Sequence, residues 1–441
     1  MSLSDHPRAY GTAAVAAAFG AGVLLTLGFK DFYPDLQTRF RQTRRRRTGS
    51  KQHERKGSFF WSAPIQLQDH EDHPTAAHDG VAGDGIAGCI GNTPLINIQS
   101  LSEATGRTIL AKAEFLNGAG NSPKDRVALN IIREAEKEGL LTPNQGDTIY
   151  EGTVGSTGIS LATLARSMGY RAHICMPDDQ SLEKSDLLLH LGATVERVTV
   201  APITSPDHFV NLARRRAEEH AAKHNDGSKG FFADQFESPA NWHAHFQTTG
   251  PEIWKQTDGK LDAFVAGAGT GGTISGVARY IKLEMKADLT QIVLADPQGS
   301  GLYNKVKHGV MYSSTEKEGT RRRQQVDSIV EGVGVNRVTE NFEAGRDLVH
   351  DAVKVTDEQA CRMARWLVEK DGIFVGSSSA VNCTAAVATA MTLPPGSVVV
   401  TMLCDSGTRH VSKFWKIIKE MTEQDGEAVD LFAELGIPKP V

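Results

Sequence analysis

The sequence predicts an α/β protein built on parallel sheets with helices on both faces, and three observations carry that expectation. From about residue 85 onward, short apolar runs alternate with amphipathic stretches. Two glycine-rich turns, at 152–158 and 267–273, each follow an expected strand and open a helix. The chain has 441 residues, 40% of them hydrophobic, enough to bury a large core in two lobes. Strands alternating with helices need crossover connections and therefore lie parallel. In such sheets ligands gather beyond the carboxyl ends of the strands, where both glycine turns fall.

The N-terminal region stands apart from this pattern. Residues 1–60 hold eleven Lys or Arg against four Asp or Glu, a net of +7, while the whole chain carries −5, so the remainder carries −12. The near-neutral total argues against nucleic acid as a partner, and a basic arm before an acidic body points to targeting or a membrane surface. The stretch 9–29 contains no charged residue and is rich in Ala, Gly, Val and Leu. Roughly 20 apolar residues suffice to cross a bilayer as a helix. Lys30, Arg39, Arg41 and the run Arg44 to Arg47 come directly after it. That order is the reverse of a secretory signal and holds the C-terminal side in the cytosol. Residues 1–47 are therefore expected to form a single-pass membrane anchor with a basic flank, the alternatives being a buried Ala-rich helix or a cleaved organellar leader. Residues 48–84 read as a solvated linker, whose His70, His73 and His78 match no metal-site spacing. Cys89, Cys175, Cys361, Cys383 and Cys404 are scattered, without a Cys-x-x-Cys pair, which fits a reducing compartment and no structural zinc.

Within the body, strands are expected at 148–151, 171–176, 194–198 and 263–266, and helices at 157–168, 181–191 and from the second glycine turn to about residue 285. Residues 313–326 lack apolar periodicity and read as an exposed insertion.

Three loops and one lysine carry the chemistry. Gly267-Ala-Gly-Thr-Gly-Gly-Thr273 offers successive backbone N–H groups at the positive end of a helix, an anion site. It lacks the dinucleotide spacing and the Lys-Ser/Thr pair of a triphosphate site, so a single phosphate is the guest it suits. Gly152-Thr-Val-Gly-Ser-Thr-Gly158 repeats the arrangement, its N–H groups and the hydroxyls of Thr153, Ser156 and Thr157 suiting a carboxylate. Gly376-Ser-Ser-Ser379 follows an apolar run and could face a ring nitrogen with a neutral hydroxyl, or simply cap a helix. Lys124, in Asn121-Ser-Pro-Lys-Asp-Arg126, completes the set.

With these residues in hand, 85–415 resembles the cysteine synthase and cystathionine β-synthase family of pyridoxal-phosphate enzymes, known as fold type II. Gly91-Asn-Thr-Pro-Leu95 is similar to its opening signature and Ser122-x-Lys-Asp-Arg126 to its lysine motif. Met176-Pro, Ser181-Leu-Glu-Lys184, Gln235-Phe, Pro239-Ala-Asn241, Thr249-Gly-Pro-Glu-Ile-Trp254 and Asp405-Ser-Gly407 match further segments in order. The leader makes the chain most similar to a fungal branch associated with the mitochondrial outer membrane.

The resemblance implies two doubly wound parallel-sheet domains with the cofactor cleft between them: a large one of 85–128 plus 241–425, a small mobile one of 129–240, and a tail at 426–441. It implies that Lys124 carries pyridoxal 5'-phosphate as a Schiff base and acts in catalysis. Gly269, Thr270, Gly271, Gly272 and Thr273 would seat the phosphate, Ser378 would meet the pyridine nitrogen, and Ser156 would approach the cofactor. Thr153, Gly155, Ser156, Thr157 and Gln235 would bind the substrate. The implied reaction is β-replacement, giving L-cysteine from O-acetyl-L-serine and sulfide, in a homodimer and without a metal. Cystathionine synthesis, serine or threonine dehydration, and a weakly active membrane-tethered scaffold are the alternatives. Two positions depart from the family pattern: Ser156 replaces an Asn, and Pro123 directly precedes the lysine in a segment one residue longer.

Overall fold

The computed structural model describes residues 83–224, 226–311, 328–425 and 430–438. The expected anchor, nearly all of the linker and the 313–326 insertion lie outside them. Among the described residues no helix is long and apolar enough to cross a membrane.

Among the described residues ten strands alternate with helices: β1 (Leu95–Asn97), β2 (Thr108–Ala113), β3 (Thr148–Gly152), β4 (Arg171–Pro177), β5 (Thr194–Val198), β6 (Gly230–Phe232), β7 (Ala263–Gly267), β8 (Gln291–Pro297), β9 (Asp351–Val355) and β10 (Val398–Leu403). They form two sheets, one in the order β1-β2-β10-β7-β8-β9 and one in the order β5-β4-β3-β6. Every pairing is parallel except β1 against β2, an antiparallel edge. The helices that matter for the site are α1 (Lys124–Lys137), α2 (Ser156–Ser167), α3 (Leu182–His190), α4 (Phe209–Glu218), α5 (Gly272–Arg279), α6 (Glu340–Arg346), α7 (Asp357–Asp371) and α8 (Ser377–Ala390).

Helices cover both faces of the central strands β3, β7 and β10, so their alternating side chains are buried on either side. On β7, Ala263 and Val265 face the core shared with α7 and α8, while Phe264 and Ala266 join Ile274 and Val277 of α5 and Phe342 of α6. In the smaller sheet, Ile149 and Ile174 pack with Val127, Ile131 and Ile132 of α1 and with Leu161 and Leu164 of α2. Cys175 faces the other way, against Phe209, Leu212 and Ala213 of α4. Each fully buried aliphatic side chain contributes on the order of 1.5–3 kcal/mol of transfer free energy.

Several expectations shift in detail. The expected boundary at residue 128 falls inside α1, whose apolar face packs on the smaller sheet. The helix after the second glycine turn is α-helical only to Arg279, continuing as a π turn over Tyr280–Glu284. Residues 430–438, expected within a tail, include a helix at Leu431–Leu435 with all three apolar anchors, Leu431, Phe432 and Leu435, in the core beside α7. Pro123 is the N-cap of α1 at φ −58°, the value its ring favours, and needs no distortion there.

One buried ion network ties these layers together. Arg126 Nε donates to Glu114 Oε2 at 2.7 Å and Nη1 to Glu252 Oε1 at 2.6 Å, while Lys112 Nζ lies 2.6 Å from Glu252 Oε2. Burial alone would raise the Glu114 carboxyl, but the Arg126 guanidinium holds it below the usual range. Removing one partner of such a pair leaves an uncompensated buried charge. Arg126→Met is therefore expected to lower stability by roughly 3–5 kcal/mol, read as the midpoint of denaturant unfolding. A loss too small to measure would show that the network is dispensable.

Candidate active site

The carboxyl ends of β3, β7 and β10 open into one cleft of about 760 Å³. Lys124, Thr153, Gly155, Ser156, Thr157, Gln235, Gly269, Thr270, Gly271, Thr273 and Ser378 all line it, although they come from five separate stretches of chain. Gly272 does not. A Cβ there would run into Asn241 Oδ1, so Gly272 serves the close approach of α5 to Asn241.

Lys124 is the first residue of α1 and projects into the cleft. The neighbouring motif residues set its position. Asp125 accepts from the amides of Ala119 (3.2 Å) and Gly120 (2.6 Å) and from Ser160 Oγ of α2 at 2.5 Å. Arg126 anchors the next position in the ion network. The Lys124 ammonium makes no hydrogen bond or ion pair with any described residue, and desolvation lowers its pKa against the smaller pull of Cys404 and Asp405. A lysine with a depressed pKa and no protein partner is suited to bind a carbonyl carbon.

The second glycine turn is the candidate anion cradle. Gly271 sits at φ +83°, a conformation L side chains disfavour, and a Cβ there would lie 2.5 Å from Phe342 Cβ. The loop is pinned from outside, since Thr339 Oγ1 donates to Thr270 O at 2.7 Å and Gly334 N donates to Ala268 O at 2.8 Å. Thr273 Oγ1 lies 3.1 Å from His245 Nε2, whose Nδ1 is 2.9 Å from Thr249 Oγ1. Burial holds His245 well below its usual pKa, so the ring is neutral.

The first glycine turn is less uniform than its sequence suggests. The Thr157 hydroxyl donates to Gln235 Oε1 at 2.5 Å instead of into the cleft, and Thr153 Oγ1 accepts from Gly155 N at 3.3 Å. Ser156 has no side-chain partner among the described residues and lines the cleft. The serine cluster separates as well. Ser377 Oγ accepts from Glu331 N at 3.0 Å and Ser379 Oγ from Cys404 N at 2.8 Å, which leaves Ser378 alone facing the cleft.

Sequence reasoning missed several cleft residues. Lys184 Nζ of α3 meets Glu331 Oε2 at 2.8 Å across the cleft mouth. His410 Nε2 lies 3.0 Å from Asp405 Oδ2, and burial pushes the Cys404 thiol up to about 12. The Lys184–Glu331 meeting spans 147 residues and depends on tertiary structure, whereas His410 and Asp405 are five residues apart and His245 lies one helical turn before Thr249. His173, Cys175 and Glu196 bring potential metal ligands within 4.8 Å of one another, but Arg216 takes both Glu196 oxygens at 2.7 and 3.0 Å, and the group reads as an ion network.

An unpartnered lysine, an N–H cradle for one phosphate and a neutral serine across the cleft fit pyridoxal phosphate and define a pyridoxal-phosphate-dependent enzyme. The family described as "Pyridoxal-phosphate dependent enzyme" matches residues 86–405, and the chain belongs to it, within its cysteine synthases. It is 67% identical to Cysteine synthase 2 of Neurospora crassa over 456 residues, covering 99% of both chains. It is 55% identical to the Putative mitochondrial cysteine synthase of Saccharomyces cerevisiae, across 77% of this chain and 85% of that protein. Among solved structures, O-ureido-L-serine synthase superposes with a TM-score of 0.63 at 29% identity, covering 78% of this chain and 96% of that one.

Gly271→Ala is expected to weaken cofactor affinity at least about tenfold, through backbone strain and the collision with Phe342, as read by equilibrium dialysis against the cofactor. Unchanged affinity would remove the cradle from this loop.

Proposed function

We propose that this cysteine synthase performs β-replacement on O-acetyl-L-serine, with sulfide as the nucleophile and acetate as the leaving group. The observation that carries the reading is the Lys124 amine, unpartnered in the cleft that also gathers both glycine loops and Ser378. Bound pyridoxal phosphate supplies an electron sink for the α-carbon.

The protein's own groups then divide the work. Lys124 holds the cofactor and, once released from it, is a neutral amine able to take the α-proton, because the desolvated cleft disfavours its charged form. Gly269, Thr270, Gly271 and Thr273 seat the phosphate with backbone N–H groups and hydroxyls, and Gly272 lets α5 approach closely enough to aim its N-terminus there. Ser378 offers the pyridine nitrogen a hydroxyl and no charge, which restrains its protonation and favours elimination over transamination. Thr153, Gly155, Ser156, Thr157 and Gln235 receive the substrate carboxylate. Acetate leaves from the β-carbon, hydrosulfide adds at the same atom, and the proton held on the Lys124 amine returns to the α-carbon to give L-cysteine.

The proposal includes the larger setting. The lobe of residues 129–240 closes on the substrate, with Lys184 and Glu331 meeting at the rim. The enzyme works as a homodimer held to the mitochondrial outer membrane by residues 9–29, its catalytic body in the cytosol. The uncharged run with its following arginines, and the mitochondrial name of the Saccharomyces cerevisiae relative, support that placement.

Lys124→Ala is expected to abolish both the visible absorbance of lysine-bound cofactor and all turnover; retention of either overturns the role of Lys124. The purified enzyme should form cysteine from O-acetylserine and sulfide at least about a hundredfold faster than cystathionine from serine and homocysteine. The opposite ratio would replace the substrate pair. Deleting residues 1–47 should move the protein from the membrane pellet to the supernatant, and a soluble full-length chain would refute the anchor.

A further inference from the structure

Glu151 has no part in the division of work above, yet it is fully buried at the carboxyl end of β3, just before the carboxylate loop. Gln235 Nε2 donates to Glu151 Oε1 at 3.1 Å, and the Gln235 backbone N–H reaches Oε2 at 3.4 Å. Gln235 Oε1 in turn accepts from the Thr157 hydroxyl at 2.5 Å. Glu151, Gln235 and Thr157 are 0%, 3% and 3% exposed. Gln235 and Thr157 line the cleft, and Glu151 lies behind them.

In this arrangement both side-chain donors point away from the cleft. A threonine hydroxyl has one hydrogen, so Thr157 presents only lone pairs to a ligand, a poor surface for an anion. Turning the Gln235 amide over exchanges its O and N in nearly the same positions. A protonated Glu151 would then donate to Gln235 Oε1, Gln235 Nε2 would donate to Thr157 Oγ1, and the Thr157 hydrogen would be released into the cleft.

We propose that Glu151 is a positioning residue for the substrate carboxylate: the buried chain Glu151–Gln235–Thr157 sets whether the Thr157 hydroxyl donates into the cleft or back into the protein. This rests on the assignment of residues 153–157 to the carboxylate. Burial, with Asp234 beside it, pushes the Glu151 carboxyl up to about 8, so it carries its proton at neutral pH. The other charged and titratable groups facing it do not reverse that. Asp234, from the segment after β6, is paired with Arg214 of α4 at 3.1 Å, and the Cys175 thiol of β4 is pushed up to about 12 and stays neutral. Carboxylate affinity is therefore highest below the Glu151 titration and falls as pH rises through it.

The test uses propionate, a carboxylate with no amine to titrate, bound to the full-length cofactor-loaded protein and followed by calorimetry from about pH 6.5 to about pH 9.5. Affinity is expected to fall at least about tenfold across that range in the unaltered protein. It should stay level in Glu151→Gln, while Thr157→Val should bind at low pH only as weakly as the unaltered protein does at high pH. A level profile in the unaltered protein, which needs no variant to fold, overturns the proposal. A step that persists in Glu151→Gln, with Thr157→Val weakened, overturns the relay and leaves the carboxylate loop standing. Full affinity in Thr157→Val overturns the loop assignment itself, and the relay with it.

Discussion

The Arg126 guanidinium, held between Glu114 and Glu252, is the constraint on which the cleft depends. Glu114 follows the last residue of β2, Glu252 lies in the helix at Gly250–Gln256, and Arg126 is in the first turn of α1. The pair therefore fixes the start of α1 against the large sheet while the opposite face of α1 packs on the small one. Lys124 is two residues from the guanidinium, and Asp125 between them ties the preceding loop to α2. Three consecutive motif residues thus have three separate jobs, and only the first faces the cleft.

The cleft's electrostatics follow from desolvation more than from partner charges. Lys124 and His245 are driven toward neutrality, and Glu151 and Cys404 toward their protonated forms. A wall of neutral donors and acceptors suits a ligand that brings its own phosphate and carboxylate, because fixed N–H groups can then bind anions without competing cations nearby. Lys184 with Glu331 lines the cleft and Arg337 with Glu237 lies outside its lining, and both pairs join segments from the two sheets.

Features with a local signature were legible in the sequence. A glycine-rich turn between a strand and a helix marks a candidate anion site, and both such turns end in the cleft. Ser378 was singled out from its neighbours by the family resemblance alone; that Ser377 and Ser379 accept from backbone amides is visible only in the structure. Glu151 and Glu331 had no signature, because their partners lie 84 and 147 residues away. The boundary expected at residue 128 lies within α1, because the amphipathic pattern of that helix gives its apolar face but not which sheet that face meets. The hydroxyl of Thr157 was expected to serve a ligand, and hydrogen-bond direction, set by Gln235, is beyond what residue type reveals.

The strand order of the large sheet also governs how the protein can be made. β10, at residues 398–403, lies between β2 and β7, and no direct pairing joins those two without it. During synthesis the small sheet and α2 can assemble early, but the large sheet remains in two pieces until nearly the whole chain has emerged. Such non-local pairing is slow and leaves apolar strand edges open meanwhile. Lys124, the second glycine turn and Ser378 come into register only when β10 docks, so the cleft they line is completed late.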